Sequence, residues 1–419
     1  MADLVSRLGE ADRWVLDRLC EAGDAWVVGG WVRDTIAGLE QGEMDIATTL
    51  RPARVAELFE RTVPVGAAFG TVLVLADDGT PGVEVAEQGE PSWEVTTLRS
   101  DGTYGDGRRP DEVEFGDDIL EDLARRDFTI NAMALDPRNG KVIDPFGGRD
   151  DLEAGIVRAV GDAGERISED GLRIMRAFRF LDGGEIGARE LDESLASAIG
   201  AHLGMLEKVS AERKWAELSR VMRGPRRADV LRKMGHAGIL AAVLPETTIC
   251  LDCEFSGVSA VDLAILCCED TRSGADLAVH LKATLKLSND EASSVAFLHD
   301  LHRDDLVQET ATLRRFNAAL SAQMKADVVA YFGSPGEAYA AAATAVAPPR
   351  AGNKPLVDGE ALMQATELPA GPRLGRLKGW LHRRQIEDDL VTAEEVLDLL
   401  DSMDWQSGEP ESWPALAWP

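Results

Sequence analysis

Short apolar runs of strand length recur through the first 144 residues of this 419-residue chain and then stop, and that break limits its fold more than any other feature. AWVVGG (residues 25–30) reads as a buried strand entering a glycine pair, WVRDTIAGL (31–39) as the helix that follows, and GTVLVLA (70–76) and SWEVTTLR (92–99) as further strands. After Asp150 only helical spacing remains: DGLRIMRAFRFL sets Leu172, Met175 and Phe178 on one face. The pattern predicts an α+β chain, a sheet-containing head followed by an all-helical remainder. An alanine-rich stretch (338–347) ahead of Pro348 and Pro349 reads as a helix end and a linker. No internal repeat is visible, the length suits two to four domains, and no run reaches the ~18 apolar residues of a membrane span. The opening MADLVSRLGEADRW lacks a signal-type apolar core, so a cytoplasmic protein is expected.

Lys and Arg number 44 against 74 Asp and Glu, a formal charge of −30, which taken whole argues against a nucleic-acid partner. The bases are not evenly spread. Residues 206–236 carry nine (Lys208, Arg213, Lys214, Arg220, Arg223, Arg226, Arg227, Arg232, Lys233) against four acids, and a second island spans residues 350–385 with Arg373, Arg376, Lys378, Arg383 and Arg384. Two basic islands in an acidic chain suit either a phosphate-tracking surface or solvated helix faces in a salt-adapted protein. The five cysteines are too few for a disulfide scaffold at this length. Cys250 and Cys253 have a spacing used by zinc sites, but Cys267 and Cys268 end the apolar run VDLAILCC and read as core thiols, so no zinc site is expected.

The strand–Gly29–Gly30–helix junction frees backbone N–H groups for a triphosphate. Glu43 and Asp45 alternate in EMDI, so strand period sets both side chains on one face, ~7 Å apart along the chain. Glu94 lies on a second strand. Three carboxylates from two strands are a ligand set for two Mg²⁺ ions, one activating a hydroxyl and one steadying a leaving pyrophosphate.

GGWVRD (29–34), EMD (43–45), WEVTTLRSDGTYGDGRRPDEVEF (93–115), RRDFTINAMALD (125–136), EDGLRIMRAFRF (169–180) and VSAERKWAEL (209–218) occur in this order, and the series resembles class II tRNA nucleotidyltransferases and bacterial poly(A) polymerases; PLVDGEALM and GPRLG (355–375) resemble that family's tail. The resemblance implies a DNA polymerase beta-like nucleotidyltransferase head (1–150), a helical neck with a nucleotide-selecting motif (151–235), a helical body (236–347) and a helical tail (348–419). It also implies roles. Glu43 and Asp45 would hold the metals with Glu94 assisting. Arg125 and Arg126 would meet the triphosphate, Asp127 and Asn131 the ribose, and Gly29, Gly30 and Arg33 are further candidates for nucleotide binding. Asp170 and Arg173 would select the base, with Arg176 and Arg179 as further nucleotide-binding candidates; the basic islands, rather than the resemblance, point to Arg226, Arg227, Arg373 and Arg376 as RNA-binding. One position departs: the family's paired acids are usually two Asp, and Glu43 replaces the first, which predicts a compensating loop, a slow enzyme or a preference for a larger ion such as Mn²⁺.

Asp170 and Arg173 are three apart on an expected helix and hence on one face. In the family such a pair templates the incoming base. Cytosine and adenine each present an amino donor beside a ring-nitrogen acceptor, which an Asp and Arg pair matches. Uracil and guanine present the opposite polarity and would leave like partners face to face, at roughly 2–5 kcal/mol.

Within the family, Ala67 and Ala68 stand where poly(A) polymerases usually carry a basic pair, which favours a tRNA enzyme, and SDGTYGDGRRP (100–110) resembles the flexible loop of CCA- and A-adding members. The expected activity is CCA addition to tRNA 3′ ends from CTP and ATP with Mg²⁺, with no membrane and no obligate protein partner. A-only addition, poly(A) synthesis and a catalytically dead RNA-binding relative, suggested by Glu43, are the alternatives. His299 and Asp300 could suggest a metal phosphohydrolase, but LHDLHRDD lacks that domain's further spaced ligands and reads as a helix end.

Overall fold

The computed structural model describes residues 4–40, 42–66, 70–83, 91–99 and 115–419. The chain forms two compact units, Met1–Pro245 and Glu246–Pro419. Ala67, Ala68 and the 100–110 loop lie outside the described residues.

The first unit opens with α1 (Glu10–Ala22), β1 (Ala25–Val28), α2 (Gly30–Ile36), β2 (Asp45–Thr48), α3 (Pro52–Leu58), β3 (Thr62–Gly66), β4 (Thr71–Leu75) and β5 (Ser92–Thr97). It continues through α4 (Ile119–Ala124), β6 (Ala134–Asp136), β7 (Lys141–Ile143) and α5 (Gly148–Ala154). The seven strands form one sheet in the order β3-β4-β5-β2-β1-β6-β7. Only β2 and β5 pair in parallel; the other neighbours are antiparallel.

All four residues of β1 are buried because both faces of the sheet are covered there. Strand period turns Ala25 and Val27 to one face, where Val15, Leu16 and Leu19 of α1 and Val55 of α3 close a core. It turns Trp26 and Val28 to the other, against Ile119 and Leu123 of α4. Burying a Val or Leu side chain contributes about 1.5–3 kcal/mol, so a charge at Val27, which is fully buried, would break the sheet.

Past Asp150 two short strands, β8 (Ile156–Val157) and β9 (Glu190–Leu191), form a two-residue parallel ladder that periodicity does not foretell. The remainder is helical: α6 (Ala163–Glu169), α7 (Leu172–Arg179), α8 (Glu193–Ala201), α9 (Ala211–Arg223), α10 (Arg227–His236) and α11 (Ile239–Val243). α7 packs on α9, and its Ile174, Met175, Ala177 and Phe178 are buried. A sheet-containing head followed by helices is the architecture expected from the sequence.

The second unit is all helical: α12 (Ser259–Leu266), α13 (Gly274–Leu285), α14 (Asn289–His299), α15 (Thr310–Ala319), α16 (Ala322–Phe332), α17 (Ser334–Ala345), α18 (Gly359–Thr366), α19 (Pro372–Asp388) and α20 (Ala393–Asp398). Phe316, Tyr339 and Trp418 stack edge to face or tilted in its core, with Trp418 Nε1 donating to the Tyr339 hydroxyl at 2.9 Å. His299 ends α14, and its Nε2 contacts the Arg272 carbonyl, as suits a helix end rather than a metal ligand. No described helix is long and apolar enough to cross a membrane.

Candidate active site

Parallel pairing of β2 with β5 sets Asp45 directly opposite Glu94. Asp45 is the first residue of β2, and its other neighbour is Val28, the last of β1. Glu43 does not lie on the strand as alternation suggested; it sits two residues ahead of β2 and is exposed, because pairing with β1 begins only at Asp45. The three carboxylates still share one region. Burial, then Glu94 and Glu43, push the Asp45 carboxyl up to about 6 against the opposing pull of Arg126. Among the described residues the three do not gather within 4.8 Å of one another as a set.

β1 runs out into Gly29, whose φ of +70° favours glycine. A Cβ there would lie 3.2 Å from Asp45 Oδ2 and 3.4 Å from an Arg126 guanidinium nitrogen, so a bare backbone is needed beside the carboxylate. Arg125 and Arg126 follow α4, whose buried Asp122 holds both: Oδ1 accepts from Arg125 and Oδ2 from Arg126 at 3.2 Å. That carboxylate fixes two planar cations at the mouth of the sheet without leaving the strand ends.

A continuous ionic chain links this corner to the helices. Arg33 of α2 donates to Asn131 Oδ1 at 2.7 Å and pairs with Asp34. Asn131 Nδ2 donates to Asp127 Oδ1 at 3.1 Å, and Asp127 Oδ2 accepts from Arg176 Nε of α7 at 2.7 Å. Burial alone would push the Asp127 carboxyl up; Arg176 and hydrogen bonds from Asn131 and the Phe128 N–H overcome it and hold it below the usual carboxylate range. Beyond Arg176 lies Glu217 of α9, only 2 % exposed, which accepts from Arg176, Arg179 and Arg220 at 3.4, 2.7 and 2.8 Å. The guanidiniums of Arg33, Arg176 and Arg179 also ring Phe180 at 5.2, 5.5 and 4.3 Å from its centroid.

Asp170 and Arg173 do not share one helix. Asp170 is extended between α6 and α7, and α7 starts at Leu172 after Gly171, where a Cβ would meet the Met205 carbonyl at 2.4 Å. The Met205 backbone therefore leaves no room for a side chain at position 171. Asp170 Oδ1 accepts from the Leu172 N–H and Oδ2 from Arg213 at 2.6 Å. Arg173 donates to Glu169 at 2.6 Å and to the carbonyls of Arg166 and Arg125 at 2.8 and 3.0 Å.

A cavity of about 680 Å³ gathers nearly every residue singled out in the head and α7: Gly29, Gly30, Arg33, Glu43, Asp45, Arg125, Arg126, Asp127, Asn131, Asp170, Arg173, Arg176 and Arg179. Glu94 lines an adjoining cavity of about 390 Å³, which shares Asp45, Arg125, Arg126 and Arg173. Seven arginines line the larger space, against acids Asp34, Glu43, Asp45, Asp127 and Asp170, so an acidic protein keeps a cationic interior here. Asp122, Glu169 and Glu217 were missed from sequence. Glu169 and Glu217 stood inside quoted motifs, and only their arginine partners mark them out.

The proposed RNA residues divide. Arg226 helps line a cavity of about 250 Å³ with Arg232, Lys233, His236 and Asp229, and its backbone N–H donates to Asp182 at 2.8 Å. Arg227 donates to the Gly224 carbonyl from the first turn of α10. In the second unit Arg373 is committed to local packing: it donates to the carbonyls of Trp405 and Gly408 and lies 5.0 Å over Trp413. Arg376 is exposed, whereas Arg383 and Arg384 pair with Glu387 and Asp388.

Residues 25–158 match the poly A polymerase head domain, and residues 190–251 match the probable RNA and SrmB-binding site of polymerase A. The CCA-adding enzyme of Geobacillus kaustophilus is 42% identical over 218 residues, 52% of this chain and 50% of that protein; the one from Ligilactobacillus salivarius is 46% identical over 209 residues, 49% and 48%. The matches thus span about half the length of these curated relatives. The crystal structure of the Bacillus stearothermophilus CCA-adding enzyme in complex with CTP superimposes with a TM-score of 0.70 at 26% identity, over 94% of this chain and 98% of that one. The Thermotoga maritima CCA-adding enzyme complexed with tRNA shares the fold, at 20% identity and a TM-score of 0.59. With residues 25–158 and 190–251 matched to polymerase A domains and one architecture shared almost end to end with a CCA-adding enzyme, the chain is similar to poly A polymerases in its first unit and to CCA-adding enzymes in its fold.

Proposed function

We propose that the protein is a template-independent RNA nucleotidyltransferase that adds CCA to tRNA 3′ ends in the cytoplasm, using CTP and ATP and releasing pyrophosphate. The observation that carries this reading is the single cavity in which strand-borne Asp45, the cationic pair Arg125 and Arg126, Asp170 from the turn before α7, and Arg173 of α7 all meet.

The carboxylates suit a divalent cation, Mg²⁺ or Mn²⁺. Asp45 is held up to about 6 by burial and by two neighbouring acids, an accumulation of negative charge that a hard cation relieves. When bound, such ions acidify the attacking hydroxyl and neutralise the leaving pyrophosphate. Glu43, one methylene longer than Asp, lines the same cavity as Asp45 from outside the strand, and the same reading assigns it and Glu94 to the ions.

The protein's own groups do the positioning. Arg125 and Arg126, fixed by Asp122, present guanidinium forks to triphosphate oxygens beside the open backbone of Gly29 and Gly30. Asp127, kept ionised, accepts from a ribose hydroxyl while Asn131 and Arg176 hold it in place. Arg173 offers donors and Asp170 an acceptor to the Watson–Crick edge, so cytosine and adenine pair and uracil and guanine do not. Arg179 and Phe180 line the base side. In the structure Arg213 occupies Asp170, and an incoming base would replace that exposed ion pair. The basic cavity at Arg226, with Arg227 nearby, supports a phosphate-tracking surface for the tRNA, and Arg376 supports a second.

The test is to incubate pure protein with CTP, ATP, Mg²⁺ and tRNA lacking its 3′ end, and to sequence the product. CCA termini support the reading. Addition of A alone, long A tails on unrelated RNA, or no product with tRNA retained would establish the A-adding, poly(A) or inactive alternative.

A further inference from the structure

Three cysteines in the second unit meet away from the candidate active site. Cys250 and Cys253 lie in the segment before α12, and Cys268 follows the end of α12. Their sulfurs all lie within 4.8 Å of one another, and among the described residues no other group of three or more His, Cys, Asp or Glu gathers so closely. Sequence reading placed Cys267 and Cys268 together in the core. Only Cys267 is there, fully buried, its thiol pushed up to about 12 chiefly by burial. Cys268 is exposed and turned to Cys253, because α12 ends at Leu266 and the following turn rotates the next two side chains apart.

We propose that Cys250, Cys253 and Cys268 form a zinc site. Tetrahedral zinc with Zn–S near 2.3 Å sets its sulfurs about 3.8 Å apart, and Cys253 and Cys268 are separated by 3.7 Å. A disulfide would need ~2.05 Å. Two ligands at C-x-x-C spacing on one segment and one from a distant turn is the arrangement by which zinc ties loops to helices. The backbone supports that geometry: the Cys250 N–H donates to the Leu266 carbonyl at 2.7 Å, which docks the C-x-x-C segment on the end of α12. Soft thiolates select zinc over the hard ions that carboxylates prefer. Loading displaces three thiol protons and leaves three thiolates on the ion, with a water completing the tetrahedron. The ion closes the turn preceding α12 onto the turn following it, so its role is to brace the second unit.

The protein, purified without chelators and with any tag removed, should carry about one zinc per chain by plasma mass spectrometry. Cys253→Ser and Cys268→Ser should each lose most of it, while Cys20→Ser, in α1 of the first unit, should retain it. Replacement of zinc by cobalt should produce thiolate-to-cobalt charge-transfer absorption in the wild type, a readout independent of whether the variants fold. Metal-free protein with all five thiols titratable would overturn the proposal. So would a Cys253–Cys268 disulfide found by peptide mass, or zinc retained by both variants without thiolate absorption, which would place the ion on carboxylates.

Discussion

Asp45→Asn separates what the carboxylate does for chemistry from what it does to stability. The folded protein raises this carboxyl from 3.8 to about 6, so the ionised form is disfavoured by about 3 kcal/mol, at ~1.36 kcal/mol per tenfold shift. Because the folded state holds the proton to higher pH than the unfolded chain, the carboxyl favours folding below about pH 4 and loses that contribution as pH rises through about 6. Asparagine cannot ionise and has no such loss. In EDTA the two proteins should therefore be near equal in stability at pH 4. At pH 7.5 the variant should be more stable by up to about 3 kcal/mol, a ceiling because Asp45 is partly solvated. For a unit of this size that is a rise in Tm of roughly 6–12 °C. Saturating Mg²⁺ should close the gap by stabilising only the wild type, and the variant should incorporate no nucleotide. Calorimetry of both proteins at the two pH values, with and without Mg²⁺, provides the measurement. A difference independent of pH, or a variant less stable than wild type at pH 7.5, would refute the reasoning.

Arg173→Ala should weaken use of CTP and ATP together and relax exclusion of UTP and GTP; an unchanged four-nucleotide profile would remove Arg173 from base selection. Glu217→Gln leaves Arg176, Arg179 and Arg220 around a neutral group, so urea unfolding should shift to lower denaturant and nucleotide affinity fall, by less than the ~3–5 kcal/mol of a fully buried pair because these arginines stay partly in solvent. Glu43→Asp should keep or raise incorporation, and a large loss would show that the preceding loop has adapted to Glu. Reversal of Arg226 and Arg227 to Glu should weaken tRNA binding and flatten its log–log salt dependence by ~0.7–0.9 per lost phosphate contact, while CTP affinity stays nearly intact; loss of CTP binding alone would reverse the roles assigned to these residues.

Apolar contrast explains which elements could be read in advance. β1, β4 and β5 are runs of Val, Leu, Trp and Thr bounded by glycine or polar residues, and the structure has them where expected. β6 and β7 are ALD and KVI, three residues each, too short to show a period and held in the sheet by pairing with β1 and each other. The site residues stood in recognisable motifs because their spacing is local. What spacing could not convey was partnership: Glu217 is an ordinary helix position until three arginines from α7 and α9 converge on it, and Asp122 reads as a surface acid beside RRD. Asp170 was misplaced onto a helix because its extended backbone, and the close approach of Met205 that requires glycine at position 171, leave no trace in local spacing.

The single parallel pairing in the sheet also sets a schedule for folding. β2 joins β5 across the intervening β3 and β4 hairpin, and β1 gains its second neighbour only when residues 134–135 arrive. Such non-local closures are slow relative to hairpins and helices, since chain entropy is lost before contacts return it. During synthesis the hairpin and α1 can form early, but the wall that sets Asp45 against Glu94 waits for β5, and the opposite wall waits for α7. Because β5 precedes both RRD and α7 in the chain, the acidic wall is available to close before the arginines that face it have been made.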